Sequence, residues 1–120
     1  MSKSFLATLA RWPTCVSAGP LLFFSGQMGL TPRGDRPCAS YDDVRGLAPG
    51  AASHFAWVRG MEAPVGAQAI AIYERYRKLL ADDGGLGNLV RYHIYQRDKR
   101  FFPVFDRVRR HHETAPPARC

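Results

Sequence analysis

Histidines and cysteines are the residues of this sequence best suited to chemistry, because they ligate metals and act as nucleophiles or bases. The chain contains His54, His93, His111 and His112, together with Cys15, Cys38 and Cys120. No histidine and cysteine have the spacing of a zinc site, and no serine, histidine and aspartate are placed together by a recognisable turn. The pattern therefore favours no metal site, and His111 and His112 are expected at the surface.

A glycine-rich stretch, Gly84-Gly85-Leu86-Gly87, is the sequence's nearest approach to a phosphate-binding loop. Such loops open a helix, whereas this stretch follows a predicted helix. Glycine in that position is typical of a helix end. We interpret the stretch as a cap and expect no phosphate-binding site there.

The net charge of +7 would suit an acidic partner such as nucleic acid. Seven of the basic residues fall in the stretch 91–110: Arg91, Arg97, Lys99, Arg100, Arg107, Arg109 and Arg110. Binding of bases also requires exposed aromatic rings for stacking. The aromatic residues here, Phe101, Phe102 and Phe105, are better explained as core residues. The pattern therefore favours a solvated basic face over nucleic-acid binding.

Length and composition indicate a single small domain, residues 1–120. With 120 residues, of which 46% are hydrophobic, the chain can build one packed core. Three cysteines cannot all pair within one chain, which favours free thiols in a reducing compartment. Residues 1–9 lack the apolar region of a signal peptide, and no apolar run reaches membrane-spanning length. We therefore expect a cytoplasmic protein that does not contact a membrane.

Two stretches predict strands. Residues 15–26 predict a hairpin around Gly19-Pro20, whose second strand is apolar on both faces and is therefore expected at the centre of a sheet. Asn88 to Gln96 alternates between two faces, as a strand requires. Between these stretches, residues 31–60 are rich in glycine, proline and alanine without a sustained period. They predict a long surface loop inserted in the domain.

Two stretches predict helices. From Pro64 to Asp83, apolar residues recur at steps of three and four: Val65, Ala69, Ile72, Tyr76, Leu79 and Leu80. After Asp98, a second stripe contains Phe101, Phe105, Val108 and His112. The order of elements predicts an α+β fold with two helices packed on one face of a mixed sheet. A sheet of three strands is thin, so a further strand is expected after the second helix, beyond the end of this sequence.

Four stretches, in this order, resemble the RidA (YjgF-like) family, which is also labelled endoribonuclease L-PSP. They are Val16 to Gly19 with Leu22-Phe23-Phe24-Ser25-Gly26-Gln27, then Gln68 to Gly84, Asn88 to Asp98, and Phe102 to Arg119 with the ending Pro117-Ala118-Arg119. The resemblance implies a chorismate-mutase-like fold and a homotrimer with sites between subunits. It also implies hydrolysis of reactive enamine or imine intermediates, such as 2-iminopropanoate, to the keto acid and ammonia without metal or cofactor.

The same resemblance implies roles for individual residues. Arg119 matches the arginine that binds the substrate carboxylate, and a planar guanidinium offers the two parallel donors that this task needs. Trp12 stands near the position of a pocket tyrosine, so it either lines the cleft or belongs to the core. Asp106 replaces an asparagine and is expected at the surface. Gly26 is expected to allow close approach in its strand, and Gln27 to bond to loop backbone.

The end of the sequence departs from the family pattern. Members of the family continue past the arginine into a last strand with a glutamate that orients the hydrolytic water, and this sequence ends at Cys120. Two interpretations therefore stay open beside the hydrolase: a non-catalytic or truncated unit, such as half of a tandem protein, and an RNA-binding protein.

Overall fold

The computed structural model describes residues 15–83, 85–88, 91–113 and 118–119. Its strands are β1 (Cys15–Ala18), β2 (Leu21–Phe24), β3 (Arg91–Tyr92) and β4 (Ala118–Arg119). Its α-helices are α1 (Asp42–Arg45), α2 (Pro49–Phe55), α3 (Ala63–Leu79) and α4 (Phe102–His112). Single 3-10 turns occur at Gly60–Glu62, Ala81–Asp83, Gly85–Asn88 and Lys99–Phe101. The predicted α+β class is confirmed.

Across the described ranges, no helix has the length and apolar character needed to cross a membrane.

The β1–β2 hairpin forms where the sequence predicts it. Its antiparallel register pairs Cys15 with Phe24, and Gly19 supplies a positive φ of 58° at the turn. The predicted central position of β2 is not found, because among the described residues β2 pairs with β1 alone. The apolar side chains of Leu21 and Phe23 are exposed as a result.

The segment 31–60 contains α1, α2 and part of the core, so the prediction of a surface loop is wrong. Its buried residues are Cys38, Tyr41, Val44, Ala48, Ala51, Ala52, Phe55 and Val58. Both helices pack against α3. The helices have only four and seven residues: α1 buries Val44 alone, and two of the three buried residues of α2 are alanines. Such short, weakly apolar elements give no periodic pattern in the sequence.

Asp43 connects the start of this segment to α1. Its carboxylate accepts two hydrogen bonds from the Arg36 guanidinium, at 2.7 Å and 2.9 Å, and further bonds from the backbone N–H groups of Ala39 at 2.8 Å and Ser40 at 3.4 Å. These contacts, with Arg36 first and Ala39 next, hold the pKa of Asp43 well below its ordinary value. The carboxylate thereby orders the chain that leads into the core.

The longest helix, α3, has two apolar faces. Its inner face packs against α4 and contains most of its buried residues: Gly66, Ala67, Ala69, Ile70, Ala71, Tyr73 and Glu74. The predicted stripe lies largely on the opposite, outer face, where Ile72 and Tyr76 are only half-buried. Pro64 stands in the first turn as predicted, but the α-helix ends at Leu79 instead of Asp83. The sequence pattern thus identified the helix, and of the predicted stripe Ala69 and Leu80 are buried whereas the other four residues are half-buried.

The second predicted helix, α4, agrees more closely with the structure. Asp98 caps the 3-10 turn that precedes it, accepting a hydrogen bond from the backbone N–H of Arg100 at 2.9 Å. The predicted stripe is confirmed at Phe105 and Val108, which are buried, and at His112, which is buried although it was also expected at the surface. α4 is therefore held to α3 by the face that the sequence predicts.

Residues 91–97 alternate in exposure as the sequence predicts, although only Arg91–Tyr92 pair as a strand. Tyr92, Ile94 and Gln96 are half-buried, whereas the residues between them are exposed. β3 runs parallel to β4, with Tyr92 opposite Arg119. The returning strand that was expected beyond this sequence thus already includes Ala118–Arg119. Leu89 and Val90 lie outside the described residues.

Gly29 is a point of close backbone approach. A Cβ atom here would overlap the Cα, Cβ and carbonyl oxygen of Gln68 on α3. The Gly29 carbonyl accepts a hydrogen bond from the Cys38 N–H at 2.8 Å, and Gln68 Nε2 donates to the Cys38 carbonyl at 3.0 Å. The approach predicted at Gly26 is wrong, since a Cβ there meets nothing within 4 Å.

We expect Asp43→Asn to lower the free energy of unfolding by about 1–2 kcal/mol near neutral pH, because an amide cannot replace the charge-assisted bonds. The pKa of Asp43 is lower in the folded chain than in the unfolded chain. Its contribution is therefore present above the unfolded pKa and is lost as the pH falls below it. Urea unfolding at several pH values should show the difference from wild type shrinking in acid. Asp42→Asn, at an exposed neighbour, is the control, and an equal loss in both variants would contradict the role of Asp43.

We expect Gly29→Ala to lower the free energy of unfolding by at least ~2 kcal/mol, because backbone atoms of α3 would have to move. Gly26→Ala is the matched control and should change it by less than about 0.5 kcal/mol. Thermal unfolding of the two variants measures both values. Similar melting temperatures would show that the contact between Gly29 and Gln68 is not tight.

Candidate functional site

An open cleft lies between the β1–β2 hairpin and the outer face of α3. Its volume is about 1560 Å³. Residues 19–27 line one side, α3 lines the base, and residues 91–97 with Phe101 and Phe105 line the other side. The cleft thus collects residues from all four stretches that carry the family resemblance.

Apolar side chains cover much of the cleft, and we call five of them the apolar cluster: Phe24, Ile72, Tyr76, Ile94 and Phe101. All five are half-buried. Phe24 and Tyr76 meet edge to face, with ring centroids 5.7 Å apart and an angle of 86° between the planes. Burial raises the pKa of Tyr76, so its hydroxyl stays neutral at physiological pH. The cluster can therefore bind an apolar group beside a neutral hydroxyl.

Two side-chain amides that line the cleft donate hydrogen bonds to backbone carbonyl groups. Gln27 Nε2 donates to the Ser25 carbonyl at 3.0 Å, which confirms the loop contact predicted for Gln27. Gln68 Nε2 donates to the Cys38 carbonyl at 3.0 Å. Both amides fix the shape of the cleft. The arginine and histidine side chains that line the cleft lie in the 91–97 segment: Arg91, His93 and Arg97.

The register of β3 and β4 pairs the backbone of Arg119 with that of Tyr92. Tyr92 itself lines the cleft, so the motif residue lies on the strand next to a lining residue. Trp12, the other predicted site residue, lies outside the described residues, as does Cys120.

A buried polar network supports the base of the cleft. The Tyr73 hydroxyl donates to Glu113 Oε1 at 2.7 Å, and Arg109 Nη1 donates to Glu113 Oε2 at 3.5 Å. Burial, then hydrogen bonding to Tyr92 and Glu113, raises the pKa of Tyr73 far above its ordinary value. Tyr73 lines the cleft, so the network joins the cleft to the end of α4. It therefore holds α3, α4 and β3 in fixed relation.

Sequence reasoning missed Glu113 and the burial of Tyr73. One signal was available: Glu113 follows Arg109 by four residues, a spacing at which opposite charges meet on a helix. Because Glu113 lies just past the last turn of α4, the spacing alone gives no reason to expect a buried glutamate. Its burial depends on the packing of α4 against α3.

The two adjacent histidines differ in burial. The prediction of a surface position is confirmed for His111 and wrong for His112, which is buried. His112 stacks on Tyr73, with centroids 5.1 Å apart, and its Nε2 lies 3.2 Å from Glu74 Oε1. His111 stacks on His54 at 5.0 Å, and desolvation together with both neighbouring histidines lowers its pKa. Within the described ranges, no group of side chains is arranged to hold a metal ion.

Asp106 is more enclosed than predicted. Its side chain is only 14% exposed, and it forms ion pairs with Arg109 Nε at 2.7 Å and Arg110 Nη2 at 2.8 Å. The expectation of a solvated surface carboxylate is wrong, because Arg109 and Arg110 on the same helix bind the carboxylate and hold it close to α4. Asp106 is a structural partner of these arginines and is not among the residues that line the cleft.

We expect Tyr73→Phe to lower the free energy of unfolding by about 1–2 kcal/mol at neutral pH, because Glu113 loses a buried donor. The folded pKa of Tyr73 lies above the unfolded value, so its contribution is present below the unfolded pKa, near 10, and is lost as the pH rises beyond it. Urea unfolding across this range should show a smaller alkaline loss in Tyr73→Phe than in wild type. Tyr95→Phe, at a side chain that is 92% exposed, is the control and should behave as wild type. Identical alkaline profiles for wild type and Tyr73→Phe would contradict this interpretation.

Comparison with known proteins supports the fold. No protein-family profile matches the sequence, and no curated protein matches it. Among solved structures, the chain is similar to a protein from Klebsiella pneumoniae named a "putative endoribonuclease", with 24% sequence identity and a TM-score of 0.71. The similarity covers 91% of this chain and 82% of that one. The chain therefore has the RidA-like fold that the sequence resemblance implies.

Proposed function

We propose that this chain is a RidA-like hydrolase that converts reactive enamine or imine intermediates bearing a carboxylate to the keto acid and ammonia. The observation that supports the proposal is the β3–β4 register, in which Arg119 pairs with Tyr92, a residue that lines the cleft. The RidA-like fold and the Pro117-Ala118-Arg119 motif support it further. No metal or cofactor is needed for this reaction.

The proposed reaction divides between binding and water addition. The guanidinium of Arg119 binds the substrate carboxylate through two parallel hydrogen bonds. Water adds to the imine carbon, the nitrogen takes up protons, and the carbon–nitrogen bond then breaks to release ammonia and leave a carbonyl.

A homotrimer with sites between subunits is part of the proposal. The β1–β2 hairpin exposes Val16 at 58%, Leu21 at 47% and Phe23 at 58%. Apolar side chains grouped in this way favour burial against another protein surface. A neighbouring subunit that covers the hairpin would also close the open side of the cleft. Sedimentation of the purified chain should give the mass of three chains.

A cytoplasmic location is also proposed. Burial raises the pKa of the Cys38 thiol to about 11, so this thiol stays protonated and unreactive near neutral pH. Cys15 is a free, exposed thiol. Free thiols of this kind are typical of a reducing compartment.

The proposal predicts that the chain accelerates the decay of 2-iminopropanoate. An amino-acid oxidase acting on alanine generates the imine, and a semicarbazide trap measures how much survives. Arg119→Lys should lower kcat/KM at least tenfold, because lysine keeps the charge and loses the paired donors. Arg45→Lys is the control, since Arg45 lies on α1, is exposed and pairs at the surface with Asp42. Equal activity of Arg119→Lys and wild type would contradict the role of Arg119.

The name of the Klebsiella structure suggests RNA cleavage as a second candidate. Several basic residues of the stretch 91–110 already have partners: Arg100 pairs with Asp98, Arg109 and Arg110 pair with Asp106, and Arg107 lies over the Trp57 ring. Paired charges attract phosphate groups less strongly. RNA affinity that falls steeply with salt would favour this candidate. A folded chain that neither cleaves RNA nor hydrolyses imines would favour the non-catalytic alternative.

A further inference from the structure

We propose that the stacked pair of His54 and His111, which we call the latch, holds the end of α2 against α4 near neutral pH and opens in mild acid. Its opening loosens the chain that leads from α2 to one edge of the cleft. This inference concerns a conformational property of the fold. It goes beyond the proposed hydrolase function and does not depend on it.

Ring contacts join the two helices at the latch. The imidazole of His54, in the last turn of α2, stacks on that of His111, in the last turn of α4, with centroids 5.0 Å apart and an angle of 26° between the planes. The buried ring of Phe55 meets these two imidazoles edge to face, at 4.8 Å and 5.4 Å. Both histidines are also exposed, so both can exchange protons with the solvent.

The charges around the latch oppose its full protonation. Four titratable or charged groups surround His111: His54 from α2, His112 from its own helix, and Arg77 and Glu74 from α3. Glu74 is the one carboxylate of this set. Its Oε1 already lies 3.3 Å from Arg77 Nη1 and 3.2 Å from His112 Nε2. This carboxylate is therefore already engaged when a second proton reaches the histidine pair.

The direction of the pH effect follows from the environment of His111. Desolvation first, and then His112, His54 and Arg77, lower its pKa from the ordinary value of 6.5. The contribution of the packed ring is therefore present above the unfolded pKa and is lost as the pH falls below it. Two unit charges about 5 Å apart also repel enough to shift an equilibrium roughly fourfold, even at the dielectric constant of water. Protonation of both imidazoles thus favours their separation.

Residues 56–59, which we call the connecting segment, join the latch to the cleft. They lead from α2 to the 3-10 turn at Gly60–Glu62. The ring of Trp57 in this segment lies 4.9 Å from the Arg107 guanidinium of α4. Met61, in the turn that follows, lines the cleft. Because the connecting segment continues from the end of α2, opening of the latch weakens the packing that positions this edge of the cleft.

The test follows hydrogen exchange in the full chain by NMR at low salt. The Val58 N–H donates to the Phe55 carbonyl at 3.0 Å, so its protection reports the closed connecting segment. Between about pH 7.5 and about pH 5, its protection factor, corrected for the intrinsic pH dependence of exchange, should fall at least roughly fourfold. The Cys38 N–H, bonded to the Gly29 carbonyl at 2.8 Å, is the control for global unfolding. Unchanged protection at Val58, or an equal fall at Cys38, would overturn the inference.

Variants show which group titrates. His111→Phe keeps a ring on His54 and cannot take up a proton, so the acid fall in Val58 protection should shrink to less than about twofold. His93→Phe makes the same change on the exposed side of the 91–97 segment and should respond as wild type. A full acid response in His111→Phe, or its loss in His93→Phe, would contradict the latch. If His111→Phe does not fold, His54→Phe makes the same test from the other ring.

The edge of the cleft is measured separately. In wild type, the methyl signal of Met61, assigned with Met61→Leu, should shift with the same pH midpoint as the Val58 protection. In His111→Phe this shift should be absent. A Met61 signal that does not follow the latch would refute the proposed connection to the cleft.

Discussion

Close packing of the inner face of α3 is the constraint on which the rest of the structure depends. Ile70 is completely buried at the centre of this face, and Val44 of α1 and Val108 of α4 are buried equally deeply in the same core. Burying such side chains is the main favourable contribution to folding. Because α1, α2 and α4 all contact this one face, the outer face is left to form the base of the cleft. The division of α3 into two faces therefore decides where a ligand can bind.

Polar groups fix the orientation that apolar packing leaves open. Hydrophobic contact is not directional, whereas the bond from Tyr73 to Glu113 and the contact of His112 with Glu74 each require particular geometry. The first contact joins α3 to Glu113, the residue just after α4, and the second joins α3 to α4 itself. Losing one partner would leave another buried polar atom unpaired, which costs more than the bond itself contributes. The network thus makes alternative registers of the two helices unfavourable.

The sequence predicts the elements of this fold better than it predicts their environment. Gly19-Pro20, Pro64 and Asp98 mark turns and helix starts through local chemistry, and the structure agrees with each of them. The core contribution of residues 31–60 has no local signal, because alanines in short helices become core residues only when α3 is present to cover them. The same limit applies to the candidate site. Arg119 follows from a motif, whereas Glu113 and the cleft depend on contacts between residues far apart in the sequence.

Parallel pairing of β3 with β4 has a consequence for the length of the chain between them. Consecutive strand residues project to opposite faces of a sheet, so a shift of one residue exchanges the faces of Ala118 and Arg119. An insertion or deletion after α4 that shifted β4 by one residue along β3 would therefore put a residue other than Arg119 opposite Tyr92, whereas a substitution in β4 would keep the pairing of the backbones.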